Sequence, residues 1–110
     1  MIKNQNISDL LNNFISSFIK KDYESIKNKG YFGDLDLSDI LNVIGSYPGI
    51  LTLPSKKELL NFYRYDRGEN EAYIEFDLYF DHNQSDLTLC AEVFKRNNEI
   101  QMRIQDIRVL

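Results

Sequence analysis

His82 is the single histidine of the chain, set between Asp81 and Asn83 with Asp86 four residues on. An imidazole beside carboxylates is raw material for a metal site or for general acid–base catalysis. The sequence completes neither. A metal needs several converging ligands, and a general base needs an apposed nucleophile or acid; no spacing here marks either. A solvated hairpin loop accounts for the same residues. Cys90 stands between Leu89 and Ala91 with no Lys, Arg or His beside it. Nothing in the sequence lowers its pKa, so a packed or half-exposed, inert thiol is expected rather than half of a Cys–His pair with His82. No catalytic residue, metal or cofactor is expected.

Asp86 and Asp106 each fall where a strand is expected to begin or bulge. An Asp there accepts bonds from neighbouring backbone N–H groups and fixes the turn. If their strands are neighbours, the two could also approach as a paired-carboxylate site, which would raise one pKa.

Charge makes the larger signal. Between Asp66 and Glu92 the chain carries eight carboxylates (Asp66, Glu69, Glu71, Glu75, Asp77, Asp81, Asp86, Glu92) and one base, Arg67, leaving twelve bases against nine acids elsewhere. Concentrated charge is a field that a partner can feel. Tyr63, Tyr65, Tyr73 and Tyr79 are interleaved with these acids. Tyrosine beside carboxylate suits a cationic protein surface: the ring supplies area and a hydroxyl, and the carboxylate pairs with Lys or Arg. Tyrosine is also a good strand former, and outward charge keeps a sheet soluble, so the same pattern has a structural account.

The elements that position these residues follow from periodicity. Ile7, Leu10, Leu11, Phe14, Ile15, Phe18 and Ile19 form a helical stripe, predicting a helix over about 7–20 with Asn6 or Ser8 as its cap. Asp22 caps a short second helix stopped by Gly30. Leu37 to Gly45 reads as a third, capped by Ser38, before a turn at Tyr47-Pro48-Gly49. Ile50 to Leu53 reads as extended, and Ser55-x-x-Glu58 has the spacing of a capping box.

From Glu71 the period becomes two. Ile74, Phe76, Leu78 and Phe80 face one way; Tyr73, Glu75, Asp77 and Tyr79 face the other. A loop over Asp81–Ser85 follows. Leu87, Leu89, Ala91 and Val93 then alternate against Thr88, Cys90, Glu92 and Phe94. After a turn at Arg96-Asn97-Asn98, Ile100, Met102 and Ile104 face inward with Gln101 and Arg103 outward. The alternation then slips, so that Ile107 and Val109 take over; a bulge near Asp106 explains the slip. A fourth strand is expected over about Asn61–Asp66. Helices first and strands later imply an α+β fold, with N-terminal helices packed on one face of a three- to four-stranded antiparallel meander and the other face open.

A chain of 110 residues makes one domain with a single core. No apolar run approaches the roughly 20 residues of a membrane span. The opening residues lack the charged and apolar regions of a signal peptide, and one cysteine permits no intrachain disulfide. Both point to the cytoplasm. A net charge of −4 argues against direct nucleic-acid binding.

Two segments carry a resemblance: Gln84-Ser85-Asp86-Leu87-Thr88-Leu89, and Ile104-Gln105-Asp106-Ile107-Arg108-Val109-Leu110. They resemble a family of small bacterial domains with a Ser-Asp-Leu-Thr-Leu segment opening one strand and an Ile-x-Asp-Ile-x-Val-Leu segment closing the chain. Some of its members are immunity proteins of contact-dependent growth inhibition (CdiI-type). The similarity covers about the last third of the chain well and the first half in outline. Family members often carry Trp and a Glu-Glu-Gly-Arg run before the Ser-Asp segment; Tyr79-Phe80 and Asp81-His82-Asn83-Gln84 stand there instead, so no role of that run carries over.

The resemblance implies an immunity protein that binds and neutralises a cognate basic toxin domain, a nuclease being the expected kind. The acidic face supplies the matching surface, with Glu75, Asp77, Tyr79, Asp81 and Glu92 at its centre and Asp66, Glu69 and Glu71 as a rim. The alternative from another class is a ligand-binding domain with a pocket between helices and sheet, lined by Phe14, Phe18, Phe76 and Phe80. Self-association through the acidic face is opposed by its own charge, so a monomer is expected unless an edge strand pairs.

Overall fold

A computed structural model describes residues 1–33 and 35–110. The helical stripe becomes α1, Asn4–Ile19, which begins three residues before the stripe does. Its N-cap is Lys3, not Asn6 or Ser8: the Asn6 side chain reaches back to accept the Lys3 N–H at 2.8 Å, and Ser8 is buried. Helix α2, Tyr23–Asn28, starts as expected from Asp22, whose carboxylate accepts the Ser25 N–H at 3.3 Å. The chain leaves it through Gly30 at φ +70°, a left-handed conformation that glycine adopts without a Cβ clash. Helix α3 spans Leu37–Ser46, and its N-cap is Asp36 rather than Ser38. The Asp36 side chain accepts the Ser38 N–H at 3.1 Å, so Ser38 is the residue being capped.

Five antiparallel strands follow: β1 (Leu51–Thr52), β2 (Tyr63–Asp66), β3 (Glu71–Phe80), β4 (Asn83–Arg96) and β5 (Glu99–Val109). The meander β3–β4–β5 is the body of the sheet. β1 and β2 share the outer edge of β3, β1 beside Phe80 and Tyr79, β2 beside Glu75 to Ala72. Between them the Ser55–Glu58 capping box forms reciprocally: the Ser55 N–H donates to Glu58 Oε1 at 2.8 Å, and the Glu58 N–H to Ser55 Oγ at 3.1 Å. A 3₁₀ turn over Glu58–Leu60 follows.

Both long hairpins close in two residues. Asp81 and His82 (φ 51° and 64°) join β3 to β4, and Asn97 and Asn98 (φ 51° and 63°) join β4 to β5. Two successive positive φ values are those of a type I′ turn, whose twist matches that of the strands, and Asn and Asp tolerate them better than most residues. The predicted loop over Asp81–Ser85 is therefore too long; β4 already pairs at Asn83.

Two register shifts bend the sheet. On β5, Ala91 pairs with Ile104 and Cys90 with Asp106, which leaves Gln105 as the extra residue of the expected bulge. On β4, Asp77 pairs with Thr88 but Tyr79 with Gln84, so three residues, 85–87, oppose Leu78. The Ser85 hydroxyl closes that irregularity, donating to the Leu78 carbonyl at 2.6 Å and accepting the Leu87 N–H at 3.2 Å.

The core lies between α1 and one face of the sheet. Ile7, Leu11, Phe14, Ile15 and Phe18 meet Ile74, Phe76, Leu78, Leu89, Val93, Met102 and Ile104. Each such fully buried side chain contributes about 1.5–3 kcal/mol of transfer free energy. The protein is thus α+β with its helices on one face of the meander. Ile107 is buried as expected, whereas Val109, the last residue of β5, is 56% exposed. Among the described residues no helix is long and apolar enough to cross a membrane.

Candidate functional site: the outer face of the sheet

Alternation along each strand and pairing between strands define rows of side chains on the face away from α1. One row reads Tyr65–Tyr73–Glu92–Arg103, the next Tyr63–Glu75–Cys90–Asp106, and a third Asp77–Thr88–Arg108. The face is banded: tyrosines on β2, carboxylates on β3 and β4, guanidinium groups on β5. Glu75, Asp77 and Glu92, three of the five residues expected at the centre, share this face.

These carboxylates already have partners. The Tyr73 hydroxyl donates to Glu75 Oε2 at 2.8 Å. Thr88 Oγ1 donates to Asp77 Oδ1 at 2.7 Å, and the Gln84 amide to Asp77 Oδ2 at 2.9 Å. The Gln105 amide donates to Glu92. All three acids are half-buried rather than fully open. Such bonds fix the direction of each carboxylate and cut the entropy lost on binding.

Four expected members of the face lie elsewhere. Tyr79 is buried at 6% exposure, and its ring stacks on Phe76 at 6.2 Å. The three-residue irregularity opposite Leu78 is the cause: it breaks the alternation, and Leu78, Tyr79 and Phe80 are all buried in succession. Asp66 pairs with Ala72 and so projects to the helix side, where Arg64 Nε donates to it at 2.8 Å. Asp81 sits in the hairpin turn, accepting the Ile50 N–H at 3.1 Å. Its carboxylate lies so close to Gly49 that a Cβ there would come within 2.6 Å of Oδ2. Glu69 is exposed in the β2–β3 turn; Glu71 opens β3 on the outer face, opposite Phe94.

Three bases belong to this face, of which the charge count along the acidic stretch held only Arg67. Arg103 lies over the Phe94 ring at 5.0 Å, Arg67 over the Tyr73 ring at 5.4 Å, and Arg108 is 3.5 Å from Asp106. The alternation of β5 had put Arg103 outside; the missing step was to read across the strands as well as along them. Tyr63 and Tyr65, each 56% exposed, are the aromatic groups the face actually offers.

The ionisation shifts all run one way. Burial, then its hydrogen bonds with Cys90 and Glu75, raise the Tyr73 hydroxyl pKa. Burial, then the charges of Glu58 and Asp77, raise that of Tyr79. Burial pushes the Cys90 thiol up, with the Tyr73 hydrogen bond opposing. Raised values keep Tyr73 and Cys90 protonated at neutral pH, so on this face they stand as O–H and S–H groups rather than as phenolate and thiolate.

Asp86 and Asp106 engage different partners. Asp86 accepts the Tyr47 hydroxyl, and the Tyr47 ring packs on Phe80 at 4.6 Å, which ties the end of α3 to β4. That contact raises the Tyr47 pKa. Asp106 accepts the Ile107 N–H at 2.9 Å within the β5 bulge. His82 is exposed in its turn, where its backbone N–H donates to Thr52 Oγ1 at 3.0 Å. Among the described residues, no three His, Cys, Asp or Glu side chains converge as metal ligands would. Of the four rings expected to line a pocket, Phe14 and Phe76 are fully buried; Phe14 packs against Phe18, Tyr31 and Phe32 at 5.9, 5.6 and 6.0 Å.

The sequence profile of a family described as Domain of unknown function (DUF7668) matches residues 15–110, and the chain belongs to that family. No curated protein and no solved structure matches it.

Proposed function

We propose that the protein is a cytoplasmic immunity protein that binds and neutralises a cognate bacterial toxin domain, a nuclease, through the outer face of its sheet. The observation that carries this reading is the band of oriented carboxylates on β3 and β4, Glu75, Asp77 and Glu92, held on a face the helices leave uncovered. A nuclease cleft is basic because it grips phosphate. Preset carboxylates can occupy it, and long-range attraction speeds the encounter. Tyr63 and Tyr65 replace Tyr79 as the aromatic anchors, with Glu69 and Glu71 on the rim and Asp81 at the far hairpin. Arg103 and Arg108 on β5 would discriminate, repelling a partner that is basic throughout and favouring one whose basic loop lies over β3 and β4.

The test is co-expression with the C-terminal domain of a large secreted protein encoded immediately upstream. The expected result is a salt-sensitive complex and rescued growth. Glu75→Gln with Asp77→Asn should weaken that complex at least tenfold. Each amide oxygen can still accept the Tyr73 or Thr88 hydroxyl, and Gln84 can turn its own amide to accept from the second substitution. Full protection by this variant would remove the face from the interface. Charge reversal is the poorer probe, because it would place a cation against the Tyr73 and Thr88 hydroxyls. The ligand-binding alternative needs space among Phe14, Phe18, Phe76 and Phe80, which are packed into the core.

A further inference from the structure

The outward edge of β2 is open backbone with a defined parity. The Arg67 N–H donates to the Glu71 carbonyl at 2.9 Å, which makes these two a hydrogen-bonded pair. Alternation then makes Tyr65–Tyr73 and Tyr63–Glu75 hydrogen-bonded pairs as well. The N–H and C=O groups of Arg64 and Asp66 therefore point away from β3. Among the described residues, no strand pairs with β2 on that side.

We propose that this edge pairs antiparallel with the same edge of a second copy, about a two-fold axis through Tyr65. Backbone parity admits only registers that set even-numbered residues opposite even-numbered ones. An axis at Arg64 sets Arg64 on its own copy, and an axis at Asp66 sets carboxylate on carboxylate. Like charges directly opposite are destabilising. The axis at Tyr65 sets Arg64 opposite the partner's Asp66, and Asp66 opposite the partner's Arg64, with four N–H···O bonds. It also puts Tyr65 against the partner's Tyr65, and Tyr63 opposite the partner's Arg67. One register thus satisfies both the backbone and the charges, and that self-complementarity selects a second copy as the occupant.

The edge is also preset for it. Arg64 is held by three bonds, from Nε to Asp66, from Nη1 to Asn4 Oδ1 at 2.8 Å and from Nη2 to the Ile2 carbonyl at 2.6 Å. The guanidinium therefore loses little freedom on pairing. Asp66 remains 59% exposed at its side chain. In such a dimer the two outer faces lie side by side in one continuous sheet rather than face to face, so their acidic bands do not oppose each other. A two-fold contact uses up the edge and closes the assembly at two chains.

Sedimentation velocity of the full chain from micromolar to millimolar concentration, with amide hydrogen exchange, tests the proposal. The expected result is a sedimentation coefficient that rises with concentration and rises less in high salt. The Arg64 and Asp66 amides should become protected as concentration rises, while those of Tyr63 and Tyr65 are slow throughout. Asp66→Lys should shift dimerisation to about tenfold higher concentration by setting Arg64 opposite Lys. Should that variant unfold, Tyr65→Lys puts like charges on the axis and leaves the Arg64–Asp66 pair intact. A chain that stays monomeric throughout, with freely exchanging Arg64 and Asp66 amides, overturns the proposal; so does a dimer indifferent to both substitutions.

Discussion

Thr88 donates its hydroxyl to Asp77 across the β3–β4 pair at 2.7 Å, from a side chain only 3% exposed. The buried threonine holds one carboxylate oxygen of the outer face in place, and Gln84 holds the other. Thr88→Val keeps the shape and removes the donor. A buried hydrogen bond to a charged group contributes about 1.5–3 kcal/mol, and Gln84 offsets part of its loss. Urea denaturation should show a destabilisation of about 1–2 kcal/mol. An unchanged midpoint would mean that the bond does not form in solution.

Alkaline stability follows from Tyr73. Its pKa is raised above the ordinary 10.0 by burial and by bonds with Cys90 and Glu75. Below pH 10 both folded and unfolded chains hold the proton, and the contribution is complete. Above it the unfolded chain releases the proton while the folded chain retains it. The unfolded state then binds fewer protons, and stability falls as pH rises through the folded-state value. Tyr31, Tyr47 and Tyr79 are shifted in the same direction. Denaturant midpoints should decline above pH 10, and Tyr73→Phe should make the decline shallower. A wild-type curve flat beyond pH 10 would contradict this account.

His82 occupies the second position of a type I′ turn at φ 64°. Asp-Gly is among the best sequences for that turn, and glycine carries no penalty there. His82→Gly should leave stability unchanged or raise it by about 0.5 kcal/mol, and should keep any protective activity. His82→Val should lower stability by about 1–2 kcal/mol, because a β-branched residue is strained at positive φ. Loss of protection in a stable glycine variant would show that the imidazole has a role of its own.

Local pattern was legible in the residues; lateral neighbourhood was not. The stripe Ile7–Phe18, the alternation of Ile74–Leu78, the Ser55–Glu58 capping box and the slip at Asp106 each depend on a period or a fixed spacing, and each forms. Tyr79 escaped because its burial depends on three residues of β4, 85–87, crowding opposite Leu78. A register shift in a partner strand leaves no mark on the strand it affects. Asp66 escaped because a strand of four residues is too short for alternation to name its faces. Arg103 and Arg108 were visible as charges but not as neighbours of Glu92 and Thr88, since strand pairing joins residues 11 and 20 positions apart. The carboxylate band was therefore legible, and the guanidinium band beside it was not.

The bond from Arg64 to the Ile2 carbonyl spans 62 residues, whereas the two type I′ hairpins close over two residues each. Loop-closure entropy makes short closures fast and long ones late. The order of assembly should therefore run against the order of synthesis. The meander can zip from its own turns, but α1, which precedes it in the chain, has no surface to cover until that meander exists. Through Arg64, β2 becomes the clasp that joins the segment before α1 to the edge of the meander.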